Sequence, residues 1–230
     1  MGHSDTLLTL LQRNAPLIFP MAMLSPEQFI GFLSASLLIT LSPGPDNLLV
    51  LSIGASKGRK LGMAFGLGCG VGCLSHTFLA ALGISALIAA SPVAFFGLKI
   101  VGGAYLMYLG WHALRSKGGV NSRSSVDAPA SAMQLFGKGL FANAINPKVV
   151  MFFLAFLPQF VASDRGDTPW QIVQLGVIFT VQACVLFGLL GYFAGHIGRW
   201  LNRNGRAGLW LDRIAGTVFI GLGAKLVLSR

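Results

Sequence analysis

Between Leu61 and Leu98 no residue carries a formal charge. A helix crossing the hydrocarbon core of a bilayer needs about 20 apolar residues, so this run holds one span and begins another. The remainder agrees. Of 230 residues 54% are hydrophobic and 10% charged, against about 25% charged in soluble domains. Helices satisfy their own backbone in lipid and an open strand does not, so the expected fold is an all-α integral membrane protein.

Apolar runs bounded by charges or turn residues mark six spans. They are Phe29–Ile53, Gly62–Ala90, Pro92–Leu114, Gly139–Val161, Ile172–Ile197 and Ile214–Leu228. Residues 116–137, small and polar, read as a flexible linker between 24–115 and 138–230. Residues 1–23 hold Asp5, Arg13 and a weak apolar stretch, and fit a surface helix, a poor signal sequence or an upstream extension.

A net charge of +10 invites a nucleic-acid reading, which the placement of the charges argues against. Eleven of the 17 Lys and Arg fall in three connecting segments: Lys57, Arg59 and Lys60; Arg115, Lys117, Arg123 and Lys138; Arg199, Arg203, Arg206 and Arg213. The other two loops hold only Arg165 between them. By the positive-inside rule the basic segments face the cytoplasm and the termini lie outside.

The halves resemble each other. Leu67-Gly68 and Leu82-Gly83 recur, at one shared offset, as Leu175-Gly176 and Leu190-Gly191. Gly103, Leu109 and Gly110 recur with their spacing intact as Gly216, Leu222 and Gly223. Pro45-Asp46 corresponds to Pro147-Lys148. The offset changes only at the loops, as insertions would make it do. Three spans per half is an odd number, so a duplicated half enters upside down. Inverted repeats are a transporter plan, with binding near the midplane at broken helices.

Both halves open on such a break. "TLSPGPDNLLVL" sets Pro43, Gly44 and Pro45 inside the first span, and "FANAINPKVVMFF" sets Pro147 inside the fourth. Proline removes a donor and clashes with the preceding turn, freeing carbonyls that need partners. Beside the prolines stand Asp46 and Lys148, each costing roughly 3 kcal/mol at the membrane centre on insertion scales. A structural reading makes them an ion pair, or Asp46 a helix cap. The functional reading has them line a cavity for a small zwitterion. Asp46 then takes an ammonium group or a coupling proton, Lys148 takes the carboxylate, and Asn47, Asn143 and Asn146 supply neutral hydrogen bonds.

His76 is a candidate cavity or proton-handling residue. Cys69, Cys73 and His76 share one face of the second span and are of metal-binding type, yet no acidic fourth ligand accompanies them, so no resident metal and no cofactor is expected. Gly62, Gly66 and Gly70, four apart, form a small-residue stripe for close helix packing. "GLGCGVG" has the wrong spacing for a dinucleotide site. Lys99 and Lys225, toward the outer ends of their spans, are expected to snorkel. Gln174 and Gln182 are expected to face the interior and bond between helices.

"LSPGPDNLLVLSIGASKGRKLGMAFGLGCGVG", "LKIVGGAYLMYLGWHALRS" and "FGKGLFANAINPKVVMFFLAFLPQFV" resemble, in order, signatures of the LysE/RhtB family of bacterial amino-acid exporters. The resemblance runs from about Leu24 to the C-terminus. It implies an inner-membrane carrier expelling amino acids or their derivatives, driven by the proton gradient. It points to Pro43, Gly44, Pro45, Asp46, Asn47, Asn146, Pro147 and Lys148. One departure stands out: the family often has a polar or acidic residue before the span-two histidine, where this chain reads Gly72-Cys73-Leu74-Ser75-His76.

Two other classes remain open at this stage: a thiol–disulfide relay through Cys69, Cys73 and Cys184, and a metal-ion exporter using Cys69, Cys73 and His76. An intramembrane hydrolase finds no serine–histidine or paired-carboxylate arrangement. The expected partners are a zwitterionic substrate, protons and lipid, with a homo-oligomer possible.

Overall fold

Punctuation in the sequence explains where the helices start. In the computed structural model, which describes residues 23–116, 131–162, 165 and 167–228, Ser25 caps α1 (Pro26–Leu41) in a reciprocal capping box with Gln28. Proline at the first helical position, where a missing donor costs nothing, opens α2 (Pro45–Lys57), α4 (Pro92–Arg115) and α6 (Pro147–Met151). Gly58 alone joins α2 to α3 (Arg59–Ala90). Its φ of 93° lies in the region only glycine enters freely. Ser131 and Gln134 form a second capping box at the head of α5 (Ala132–Ala144). Asp167 caps α7 (Thr168–Arg203), and α8 (Gly205–Leu228) follows Asn204. Every element among the described residues is helical.

α3, α4 and α7 are each long and apolar enough to cross a membrane. The pair α1–α2 bends by 56°, and α5 with the helical run Pro147–Phe160 bends by 48°; each pair counts as one further broken span. The chain is thus a multi-pass membrane protein with three to five candidate spans by length and composition. α8, the expected sixth, carries Arg206, Asp212, Arg213 and Lys225 and falls outside that set.

Several boundaries differ from expectation. The capping box starts α5 at Ala132, well before Gly139, so the end of the expected linker is helix. Arg199 and Arg203 lie on α7, and Arg206 and Arg213 on α8, rather than in a loop. Lys99 is buried rather than snorkelling. Residues 1–22 and 117–130, with the N-terminal and most of the linker expectations, lie outside the described residues.

The bundle centres on antiparallel α3 and α7, with α5 against α3 and α2 against α7; α4 and α8 form a flanking pair. Small residues permit this contact. On α3, Gly62 meets the Gly191 backbone, Gly66 that of Phe187 and Gly70 that of Cys184, the expected stripe. Gly103 meets the Gly223 carbonyl and Gly110 the Gly216 carbonyl. α2 ends and α3 begins at the same end of the bundle as the close of α4 and the α7–α8 junction, so the basic residues Lys57, Arg59, Arg115 and Arg203 gather there.

Candidate functional site

The two breaks meet in the core. α1 ends at Leu41, leaving its last carbonyls without intrahelical donors, and Lys148, at the start of α6, supplies one. Its Nζ donates to Ile39 O at 3.0 Å and Ser42 O at 2.9 Å. A cation at a helix C-terminus also meets the negative end of the macrodipole. Gly44 makes the approach possible: a Cβ there would stand 2.8 Å from Lys148 Nζ.

A second side chain makes the same crossing. Asn143, near the end of α5, donates from Nδ2 to Asp46 Oδ2 at 2.8 Å. Its Oδ1 accepts from the Cys73 thiol at 3.5 Å, and its backbone oxygen lies 3.0 Å from His76 Nε2. A carbonyl only accepts, so His76 carries a proton on Nε2. Two polar side chains of the second broken span, Lys148 and Asn143, therefore fasten it to the first. The structural alternatives are not what is observed. Asp46 and Lys148 are held by different partners, and the N-cap of α2 is Gly44, with Asp46 inside the first turn.

Asn47 Nδ2 donates to Thr40 O at 2.8 Å, leaving its buried Oδ1 unpartnered. Asn146 Oδ1 accepts from the Lys148 amide at 3.0 Å, leaving its buried Nδ2 unpartnered. Gln182 reaches Thr40 Oγ1 at 2.9 Å, bonding between helices as expected.

Three cavities adjoin the breaks. Asp46, Asn143 and Lys148 border one of about 10 Å³, the lower limit for a single water. A wide cavity of about 500 Å³ is bordered by the Pro43–Pro45 break, by Asn146, Pro147 and Lys148, and by Tyr105 and Asp212. Ala113 and Ser116, at the end of α4, carry its lining toward the basic end. A third, of about 140 Å³, takes in Asn47 and shares Pro43, Leu48 and Asp212 with the wide one.

Away from the basic end the site is sealed. α6 continues as a π-helical turn, Phe152–Phe156, and a 3₁₀ turn, Leu157–Phe160. Phe152 and Phe156 pack with rings 5.2 Å apart, and Phe152 meets Phe179 of α7 at 5.2 Å. Beyond them Gln28 donates to Phe160 O at 2.7 Å and to Gln171 Oε1 at 3.1 Å, joining α1, the end of the α6 run and α7. A π-turn inside a helix often marks a functional position.

All ten sequence-predicted site residues fall in this region. His76 touches the site through Asn143 and borders none of the three cavities. Cys69 and Cys73 are buried free thiols and Cys184, also free, is half-buried. Among the described residues no cluster of His, Cys, Asp and Glu is arranged to hold a metal. Ser42 and Thr40 were missed, though a proline break announces carbonyls in need of donors. Asp212 was missed because nothing local ties it to either break.

The chain is 31% identical over 214 residues to the threonine efflux protein of Escherichia coli K12, covering 88% of this chain and 98% of that protein. It is 27% identical over 202 residues to the leucine efflux protein of Enterobacter, covering 86% of this chain and 94% of that one. It is 28% identical over 204 residues to the homoserine/homoserine lactone efflux protein of Salmonella typhimurium, covering 89% and 98%. No solved structure matches. The family model of the LysE type translocators matches residues 37–230, which include both breaks and every candidate residue, and the chain belongs to that family.

Proposed function

We propose that this protein is a secondary transporter, not an enzyme, that exports amino acids or amino-acid derivatives across the bacterial inner membrane. The observation that carries the reading is the fastening of one broken helix to the other by Lys148 and Asn143 beside a cavity whose lining reaches the basic end. Efflux relatives support the substrate class.

The wide cavity, lined toward the basic residues and backed by packed phenylalanines on the other side, fits an inward-facing state with the basic end cytoplasmic, as the positive-inside rule has it. Export then proceeds by alternating access. Substrate enters from the basic end, the cross-fastening at Asp46 and Lys148 is exchanged for bonds to substrate, and the Phe152–Phe156 seal gives way. Proton uptake at Asp46 from the outside, releasing Asn143, couples the cycle to the gradient.

Six spans arranged as two inverted three-helix repeats fit the same picture. The correspondence that sets Gly103 against Gly216 and Gly110 against Gly223 maps the contact of Gly103 with Gly223 onto that of Gly216 with Gly110. Both contacts are present. A two-fold axis in the membrane plane relates contacts in that way.

The test is efflux of a panel of labelled amino acids from cells producing the protein and from cells producing Asp46→Asn. A subset leaves faster with the wild type, and the variant, equally abundant in the membrane, loses at least nine-tenths of that efflux. Equal efflux by both refutes the role of Asp46, and efflux of no amino acid refutes the function.

Gly44→Ala pushes against the Lys148 ammonium, which must leave one of its carbonyls. The expected result is efflux slower by about tenfold, or ~1.4 kcal/mol, at normal abundance. Unchanged efflux would show that the close approach is dispensable.

A further inference from the structure

We infer that Asp212 is the ammonium-binding residue of the wide cavity, receiving the α-ammonium of a zwitterionic substrate while Asn146 and Lys148 receive its carboxylate. The inference rests on the proposed function and adds a binding residue from α8, an element that neither proline motif includes.

Asp212 is half-buried, borders both the wide and the intermediate cavity, and has no hydrogen bond or ion pair among the described residues. Its basic neighbours do not neutralise it: Arg206 and Arg213 are exposed, and neither pairs with it. A carboxylate turned into a cavity in a protein of net charge +10 holds a local field opposite to that of its surroundings.

The cavity walls add two further unsatisfied groups of defined sense. Asn146, 3% exposed, borders the wide cavity, and the Lys148 amide occupies its oxygen, so its orphan is a donor. Asn47, 8% exposed, borders the intermediate cavity beside Asp212, and Thr40 O occupies its Nδ2, so its orphan is an acceptor. Both are met by a ligand that offers an acceptor at one end and a donor at the other.

Donor and cation thus belong to Asn146 and Lys148, in the wide cavity, and the anion to Asp212, which borders that cavity and, with the acceptor of Asn47, the intermediate one. An α-amino acid carries the complementary pair. Asp46 is not the first acceptor such a ligand meets, because it borders only the closed cavity of about 10 Å³.

Inside-out vesicles give the basic end access to added substrate. Uptake of an amino acid identified in the efflux panel is measured with and without its 2-hydroxy analogue, which keeps the carboxylate and lacks the ammonium. Wild-type vesicles discriminate strongly. Asp212→Asn raises KM at least tenfold with Vmax within twofold and levels the discrimination, and Asp212→Glu restores both. An unchanged KM and preference, or a loss of Vmax alone, overturns the assignment while leaving the exporter reading intact; wild-type vesicles that move no amino acid overturn both.

A second measurement needs no turnover. Asp212→Cys in a Cys184→Ser background is labelled by a charged thiol reagent from the basic side, and saturating amino acid slows labelling at least tenfold. Labelling that substrate does not slow overturns the assignment.

Discussion

Lys148→Ala is expected to abolish efflux and to lower stability at the same time. At the broken end of α1, Ser42 O loses its donor and Ile39 O keeps only the Ser42 hydroxyl, in a region where the side chain is 5% exposed. An orphaned acceptor costs about 1–3 kcal/mol, so thermal unfolding of the purified variant in detergent shifts down by several degrees. The transport defect exceeds anything that shift explains, because the ammonium is also the proposed carboxylate receptor: efflux falls at least a hundredfold per molecule in the membrane. Lys148→Arg does not restore it, since the Lys148 side chain already lies close against Gly44 and the larger planar guanidinium does not reproduce the point-like ammonium that reaches both carbonyls. Efflux of Lys148→Ala within threefold of wild type would remove this residue from the mechanism.

The second large effect involves no charge. Gly139→Val places side-chain atoms against the Phe65 carbonyl, in the contact that seats α5 on α3. The obstruction is backbone, which does not swing aside as a side-chain tip does, and overpacking of this kind costs about 1–3 kcal/mol or more. The expected outcome is loss of folded protein from the membrane, read by fluorescence-detected gel filtration. Gly137→Ala, two residues away with open space around its Cβ, leaves the elution profile unchanged. Equal profiles for the two variants would refute close α3–α5 packing.

The transmembrane character and the two breaks were legible because their causes are local. An uncharged run between Leu61 and Leu98 has one solution in lipid, and a proline beside a buried charge announces a site within a few residues. The family resemblance, carried by the same motifs, agrees with the match over residues 37–230. The partners were not legible. Asp46 and Lys148 invite pairing with each other, yet the structure gives Lys148 to Ile39 and Ser42 and gives Asp46 to Asn143, because a broken helix end offers a cation several carbonyls at once. Cys73 was singled out where relatives often carry a polar residue; its thiol bonds the same Asn143 that holds Asp46. Asp212 depended on how α8 crosses the breaks, which no short window of sequence encodes. The start of α5 was missed for the opposite reason: the Ser131–Gln134 box is local, but the polar stretch before it reads as linker.

Three junctions between consecutive helices are single residues: Gly58 between α2 and α3, Ser91 between α3 and α4, Asn204 between α7 and α8. Joints of one residue leave no slack, so displacement concentrates where the chain has two or three non-helical residues inside a span, at 42–44 and 145–146. The 16 residues of α1 then act as a lever about 24 Å long at 1.5 Å per residue. A swing of about ten degrees at the break carries its far end through roughly 4 Å, comparable to the width of an amino-acid backbone.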